Sequence, residues 1–425
     1  MLVPNVRSMA RCALGCTTAL VAAGALGACG SSSDDADGKS SAAAPAASTT
    51  AAATPKGSPL RIGALVNVTG PTTTGEASAP DVLQGWAKAT NAAGGLAGHP
   101  VEIEVVDTKG DAPTATAAAR RLAGDDAVVA MVLYDASTEG SVADTITKAG
   151  LPVIGGIGYA PTAWGKLPNW LPLSTSFPAV IDMGMVLGKE IGAKKTVFPV
   201  CAENSSCGAA GPLAEKASKA LGMEYAGTLP TSVSAPDYTA QCLKIKKQGV
   251  DYVMLGLTTT ASLRLVADCK TQGYDGKWGL FDGSVWPKVM KANDPGVPVS
   301  LALSAFPWFV DDAPVAAYRD MMNKQGVSED SWGSPHGTAA YATMQLFAKA
   351  LKGDAALPAT PTRADVIKAY GSIKDETLDG LLPQPITFTP NQPEPVVGCF
   401  WLATFDGGEF SGAKLDQPVC DTVGG

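Results

Sequence analysis

From Leu60 onward the chain alternates short apolar runs with longer stretches in which apolar residues recur every three or four positions. The short runs read as strands buried on both faces and the longer stretches as helices covering them, the pattern of a parallel α/β sheet. The first set predicts strands over 60–66, 99–106, 128–133 and 151–154, with helices over 81–93, 114–123 and 138–149 between them. After a passage punctuated by Pro168, Pro172 and Pro178 the alternation resumes. Helix 177–191, strand 196–200, helix 211–221 and strand 225–229 are expected there. A helix between Pro236 and Gly249, strand 251–255, helix 262–272 and strand 278–281 follow. A strand at 301–306, an apolar helix at 338–351, a helical segment at 362–372 and strand-like ends at 386–388 and 396–405 complete the pattern. Two runs of βα units predict an α/β protein of two doubly wound parallel-sheet lobes. The elements after 301 predict more than one passage between lobes, hence a multi-strand hinge that restricts motion to opening and closing.

The first 57 residues follow another pattern. Arg7 and Arg11 precede an apolar run from Ala13 to Ala28, which ends in Leu26-Gly27-Ala28-Cys29. A basic start, a short apolar run and a small-residue cleavage point make a secretory signal over 1–28. The run is too short to span hydrocarbon, which takes roughly twenty residues. Cys29 is then a site for lipid attachment, palmitate included, the alternative being an ordinary signal with an accidental cysteine. Residues 30–57 lack aromatic and large aliphatic side chains and cannot bury enough apolar surface to offset ordering, so 29–57 reads as a lipidated tether. This N-terminal pattern resembles bacterial lipoproteins and places the body on the extracytoplasmic face of a cell membrane. The body divides as 58–174 plus 303–355 in one lobe and 175–302 plus 356–395 in the other. Residues 396–425 form a C-terminal segment packed on the hinge and second lobe.

Without residues 1–28 the chain has 30 basic against 40 acidic residues, a net charge of −10. Nucleic acid, which calls for a basic surface, is therefore excluded as a partner. Cys12 and Cys16 leave with the signal, so Cys201, Cys207, Cys242, Cys269, Cys399 and Cys420 remain in an oxidising compartment. Six cysteines allow fifteen pairings. Proximity along the chain favours 201 with 207, 242 with 269 and 399 with 420. No CxxC occurs and His99 and His336 are the only histidines, so no metal and no cofactor is expected. Gly156-x-Gly158 follows a strand, but Pro161 stands where a dinucleotide site needs its third glycine. Neither G-x-S-x-G nor H-E-x-x-H appears, and no enzyme activity is expected.

The order and spacing of several short motifs resemble the branched-chain amino acid-binding family of bacterial solute-binding proteins, with the type I periplasmic-binding fold. The carriers are Ile62-Gly63-Ala64-Leu65-Val66 with Thr69-Gly70-Pro71, Ala92-Ala93-Gly94-Gly95-Leu96 with Gly98, Pro100-Val101 and Val105-Val106-Asp107, and Ala136-Ser137-Thr138. Leu151-Pro152-Val153-Ile154 ahead of Ala160-Pro161, and Asp237-Tyr238-Thr239 leading into Val250-Asp251, continue the likeness. The resemblance implies a monomer that captures an amino acid or related small polar solute between lobes. It implies delivery to the permease and ATPase subunits of an ABC importer. The alternative is a ligand-sensing subunit that reports a small amide, urea or aromatic acid to a membrane receptor.

Ligands of open α/β sheets sit beyond the carboxyl ends of the strands. Asp135, Ser137 and Thr138 stand between a strand and a helix, where free backbone amides favour an anionic group, although Ser137 and Thr138 also suit plain helix capping. The resemblance makes Ile157, Gly158 and Tyr159 a ligand loop whose glycines let backbone groups approach the solute. Thr258 and Thr259 follow a strand in the second lobe, and Asp282 takes the place of an acidic residue that pairs a ligand ammonium. Its bland alternative is a turn-forming Asp before Gly283. Asn204 matches a further contact loop in which Cys207 replaces an aromatic. Thr74 stands where relatives place an aromatic wall, so Trp308, with Phe306 and Trp286, becomes the candidate apolar surface. Asp135 conflicts with a solute carboxylate: either it points away, or the ligand lacks one.

Overall fold

The computed structural model describes residues 55–70, 73–160, 162–171, 173, 176–203, 205–353, 357–394 and 397–420. The signal over 1–28, Cys29 with its tether through residue 54, and Asn204 lie outside the described residues.

Strands β1 (Leu60–Val66), β2 (Val101–Asp107), β3 (Val128–Tyr134) and β4 (Val153–Gly156) form a parallel sheet in the order β2-β1-β3-β4. The sequences LRIGALV and VVAMVLY are apolar almost throughout because helices cover both faces of their strands. Helix α1 (Ala79–Ala92) lies on one face, and α2 (Ala112–Ala123) and α3 (Glu139–Lys148) lie on the other. Asp111 accepts the Thr114 amide and starts α2. That helix approaches β1 so closely that a β-carbon on Gly63 would stand 2.9 Å from Leu122.

Strands β5 (Lys195–Cys201), β6 (Glu224–Thr231), β7 (Tyr252–Met254), β8 (Lys277–Phe281), β9 (Val299–Leu303), β10 (Trp401–Asp406) and β11 (Glu409–Ser411) form the second sheet, in the order β11-β10-β9-β8-β7-β5-β6. Pairing is parallel from β6 to β9 and antiparallel for β10 and β11. Helices α4 (Phe177–Glu190), α5 (Ser205–Ala220), α6 (Thr239–Gln248), α7 (Thr259–Thr271) and α8 (Pro287–Ala292) connect these strands. The chain then returns to the first sheet, where α9 (Ala313–Lys324), α10 (Glu329–Trp332) and α11 (Pro335–Leu351) pack on α1. Helix α12 (Arg363–Tyr370) packs on α11 and β3. The chain thus crosses between sheets three times: after β4, after β9 and before β10.

The sequence reading lacks helices α8, α9 and α10 and strand β11, and three further details differ from it. Segment 363–370, expected in the second lobe, is fastened to the first sheet by Arg363. Its guanidinium donates to the carbonyls of Val128 (3.0 Å), Ala149 (2.8 Å), Ala123 (3.0 Å) and Asp125 (2.8 Å). Helix α5 begins at Ser205 and runs through Pro212, where a later start was expected, because a Cys201–Cys207 disulfide ties its first turn to β5. Residues 386–388 form no strand; Ile386 makes an isolated bridge to Glu376. Disulfides also join Cys242 to Cys269 and Cys399 to Cys420, the pairings that proximity favoured.

Candidate ligand site

Parallel strands bring the carboxyl ends of β1, β3 and β4 to one edge of the first sheet, and those of β7 and β8 to one edge of the second. The loops on these two edges touch. The single 3₁₀ turns Gly75–Ser78 and Asp282–Ser284 are in contact. A β-carbon on Gly75 would stand 3.1 Å from the Val285 carbonyl oxygen, so the missing side chain is what lets these segments approach. Tyr159 packs against core residues of both sheets and brings its hydroxyl to the backbone of Gly283.

Four buried carboxylates surround this junction: Glu76, Asp135, Glu139 and Asp282. Among the described residues no lysine or arginine forms an ion pair with any of them. Asp135 does not point away. Its Oδ1 accepts the Ser137 amide at 3.0 Å, and its Oδ2 accepts the hydroxyls of Thr138, at 2.5 Å, and Thr108. The side chain thus holds the donors at the start of α3 that were expected to meet an anionic solute group.

Glu139 makes a second such correction. Its carboxylate accepts the amides of Gly158 (3.1 Å), Tyr159 (2.8 Å) and Ala160 (2.8 Å) and the indole N–H of Trp164 (3.1 Å). The loop amides expected to reach a solute are therefore turned inward, and Gly158, at φ 87°, supplies the left-handed backbone that allows it. Burial pushes the Glu139 carboxyl up to about 7 in spite of these donors.

Glu76 Oε2 accepts the amide of Thr74 at 3.2 Å and its hydroxyl. Burial, reinforced by the nearby Asp135, pushes its carboxyl up to about 7. Asp282 accepts the Gly283 amide (2.9 Å) and the Ser304 amide (3.1 Å) and hydroxyl, and burial raises its pKa. Ionisation of Tyr159 is opposed by burial and then by Asp282, Glu76 and Glu139. The phenol is neutral and ringed by carboxyl groups.

The remaining candidates are spread unevenly around this centre. Ile157 is buried, with its amide on the Leu133 carbonyl at 2.9 Å. The Thr258 hydroxyl accepts the Ala261 amide as the cap of α7, and the Thr259 hydroxyl donates to the Ser284 carbonyl at 2.9 Å, fastening the Asp282 turn. Trp308 lies edge-on to Phe309 and Phe410 in an aromatic cluster, away from the other candidates in every described contact. The described residues contain no group of three or more His, Cys, Asp or Glu suited to a metal ion.

Four contributors escaped the sequence reading as site residues: Glu76, Glu139, Ser304 and His336. His336 opens α11 and is 94% buried, and its Nδ1 has no hydrogen-bond partner. That nitrogen faces the seam, 2.6 Å from where a Gly75 β-carbon would stand. Burial pushes its pKa down to about 4, so the ring is neutral at pH 7. Only Glu76 carried a usable signal, an acid two residues beyond Thr74 at the end of the first strand loop.

The family model for periplasmic binding proteins matches residues 59–409. The chain belongs to that family. Its members are solute-binding proteins, not enzymes. Among curated protein sequences, none matches significantly. Solved structures share the fold at low identity. One is a fatty acid ABC transporter substrate-binding protein from Thermomonospora curvata, with TM-score 0.71 and 18% identity over 87% of this chain and 95% of that one. Another is a branched-chain amino acid transporter substrate-binding protein from Streptococcus pneumoniae, in complex with isoleucine, with TM-score 0.65 and 16% identity over 84% and 98%. A third is an ABC transporter solute-binding protein from R. palustris in complex with 4-hydroxybenzoate, with TM-score 0.68 and 16% identity over 86% and 98%. At these identities the likeness is one of fold, and three such different solutes leave this chain's own ligand to be argued from its residues.

Proposed function

We propose that this periplasmic binding protein is the solute receptor of an ABC importer, capturing a small polar solute that carries an amino group at the meeting edges of its two sheets. The observation that carries this reading is the junction itself, where Tyr159 and Gly75 from one sheet meet Gly283 and Val285 from the other among four carboxylates that have no basic partner among the described residues. A guest touching both edges favours the closed arrangement by its differential affinity, and the permease and ATPase partners read that arrangement. Asp282 and Tyr159 are the proposed contacts, while the donors of Ser137, Thr138 and Thr259 hold Asp135 and the Ser284 turn in place. The receptor acts as a monomer held to the outer face of the membrane by lipid on Cys29.

Mass spectrometry of small molecules carried through purification tests the first half of this reading. An amine retained by the wild-type protein and lost from an Asp282→Asn variant is expected; a chain that arrives empty and takes up no solute of any class would overturn it. Mass analysis of the N-terminal peptide tests the anchor, with an acylated Cys29 as the expected finding.

A further inference from the structure

We infer that the solute is an organic cation with no carboxylate of its own, a primary amine, diamine or guanidine; this deepens the receptor reading above and rests on it. An α-amino acid needs two opposite anchors, one for the carboxylate and one for the ammonium. The anchor for the carboxylate is taken. At the start of α3 the Ser137 amide and the Thr138 hydroxyl already serve Asp135, and the amides of Gly158, Tyr159 and Ala160 already serve Glu139. A solute carboxylate would have to displace one of these and would stand beside a buried charge of its own sign.

The anchor for a cation is present in excess. Glu76 and Asp282 come from opposite sheets, both buried and both without a basic partner among the described residues. His336 is an independent pointer. Its Nδ1 is buried, unpartnered and directed at Gly75 in the same seam. A neutral imidazole can accept a hydrogen bond from an ammonium or guanidinium. The neutral ring of Tyr159 adds a face suited to a cation. With four carboxyl groups gathered at one seam, a positive guest is favoured over a neutral or anionic one.

The test is calorimetric titration of the full-length protein at pH 7.5 with matched pairs that differ by one carboxylate: agmatine against arginine, cadaverine against lysine, isoamylamine against leucine. Isoleucine and 4-hydroxybenzoate complete the set. At least one amine is expected to bind tenfold or more tightly than its parent amino acid. Glu76→Gln and Asp282→Asn are each expected to weaken that amine by tenfold or more, and Asp135→Ala, which removes the acceptor of the Ser137 amide and the Thr138 hydroxyl, to narrow the gap within the pair. Any parent acid binding as tightly as its amine, or 4-hydroxybenzoate binding while amines do not, would overturn the cation inference and leave the receptor reading standing. No heat from any compound, together with no change in radius of gyration by small-angle scattering, would overturn both.

Discussion

The phenolic oxygen of Tyr159 occupies the space that a β-carbon on Gly283 would need. One residue follows β4 of the first sheet and the other follows β8 of the second, so this contact exists only while the two edges are together. Gly283→Ala is therefore expected to disfavour the closed arrangement without unfolding either sheet. Small-angle scattering should show a larger radius of gyration for the variant, while circular dichroism stays unchanged. Tyr159→Ala in the same chain should restore the wild-type value, since it removes the oxygen that the new methyl meets. Unaltered dimensions in Gly283→Ala would mean that the edges do not separate in solution.

Glu76 gives a pH dependence whose sign can be worked out. Its carboxyl rises from 4.5 to about 7 on folding, so between these values the folded chain holds a proton that the unfolded chain has released. Stability from this group is full at low pH and lost as pH rises to about 7. The groups facing it are Asp135, which raises it further, and the Thr74 donors, which oppose the rise. Glu139, also raised to about 7, acts in the same direction, whereas His336, lowered to about 4, loses stability as pH falls below 6.5. Glu76→Gln keeps an acceptor for Thr74 and removes one of these opposing contributions. Denaturant melts should find the variant more stable than wild type at pH 8, by on the order of 3 kcal/mol, and nearly equal at pH 4.5. A gap that does not change with pH would place the charge elsewhere.

Much of this fold is legible in the sequence because a strand such as LRIGALV, buried on both faces, writes its burial into every residue. The site is less legible, for a physical reason that Asp135 and Glu139 make plain. Asp135 turns back on its own neighbours Ser137 and Thr138 and takes the Thr108 hydroxyl from another loop, and Glu139 takes backbone amides from a loop it could be matched with only in three dimensions. Glu139 reaches across 19 to 21 residues to the amides of Gly158–Ala160. Its place in a helix's first turn gives no hint of that reach. His336 is harder still: it belongs to an element that the chain builds about 260 residues after the Gly75 turn it faces. Asp282, immediately before a glycine at a strand end, could be singled out because its neighbours in sequence are also its neighbours in space.

Arg363 carries the connection between α12 and the first sheet. Two of its four carbonyl partners, Ala123 and Ala149, lie at the carboxyl ends of α2 and α3, where a positive charge is favoured by the helix dipole. Lysine keeps the charge but cannot address four carbonyls with one ammonium. Arg363→Lys is expected to cost about 2 kcal/mol and Arg363→Met about 3 kcal/mol, since each leaves part-buried carbonyls without their donors. Urea melts of the three proteins would show the order; equal midpoints would mean that solvent replaces the guanidinium freely.

The disulfides divide by the length of chain they close. Cys242 and Cys269 are both buried and join α6 to α7 across 27 residues, whereas Cys201 and Cys207 are separated by 6. If the cross-link acts by restricting the unfolded chain, removing the longer loop's bridge costs about 3 kcal/mol and the shorter one about 2 kcal/mol. Alanine replacements isolate this effect better than serine, because a buried hydroxyl would add its own cost at Cys242 and Cys269. Cys242→Ala with Cys269→Ala should therefore lower the urea midpoint more than Cys201→Ala with Cys207→Ala, and reduction of the wild type should lower it at least as far as either pair. The reverse order would show that the 201–207 bridge contributes chiefly by holding the first turn of α5 on β5, against the lost hydrogen bond at Pro212, and not by shortening the unfolded chain.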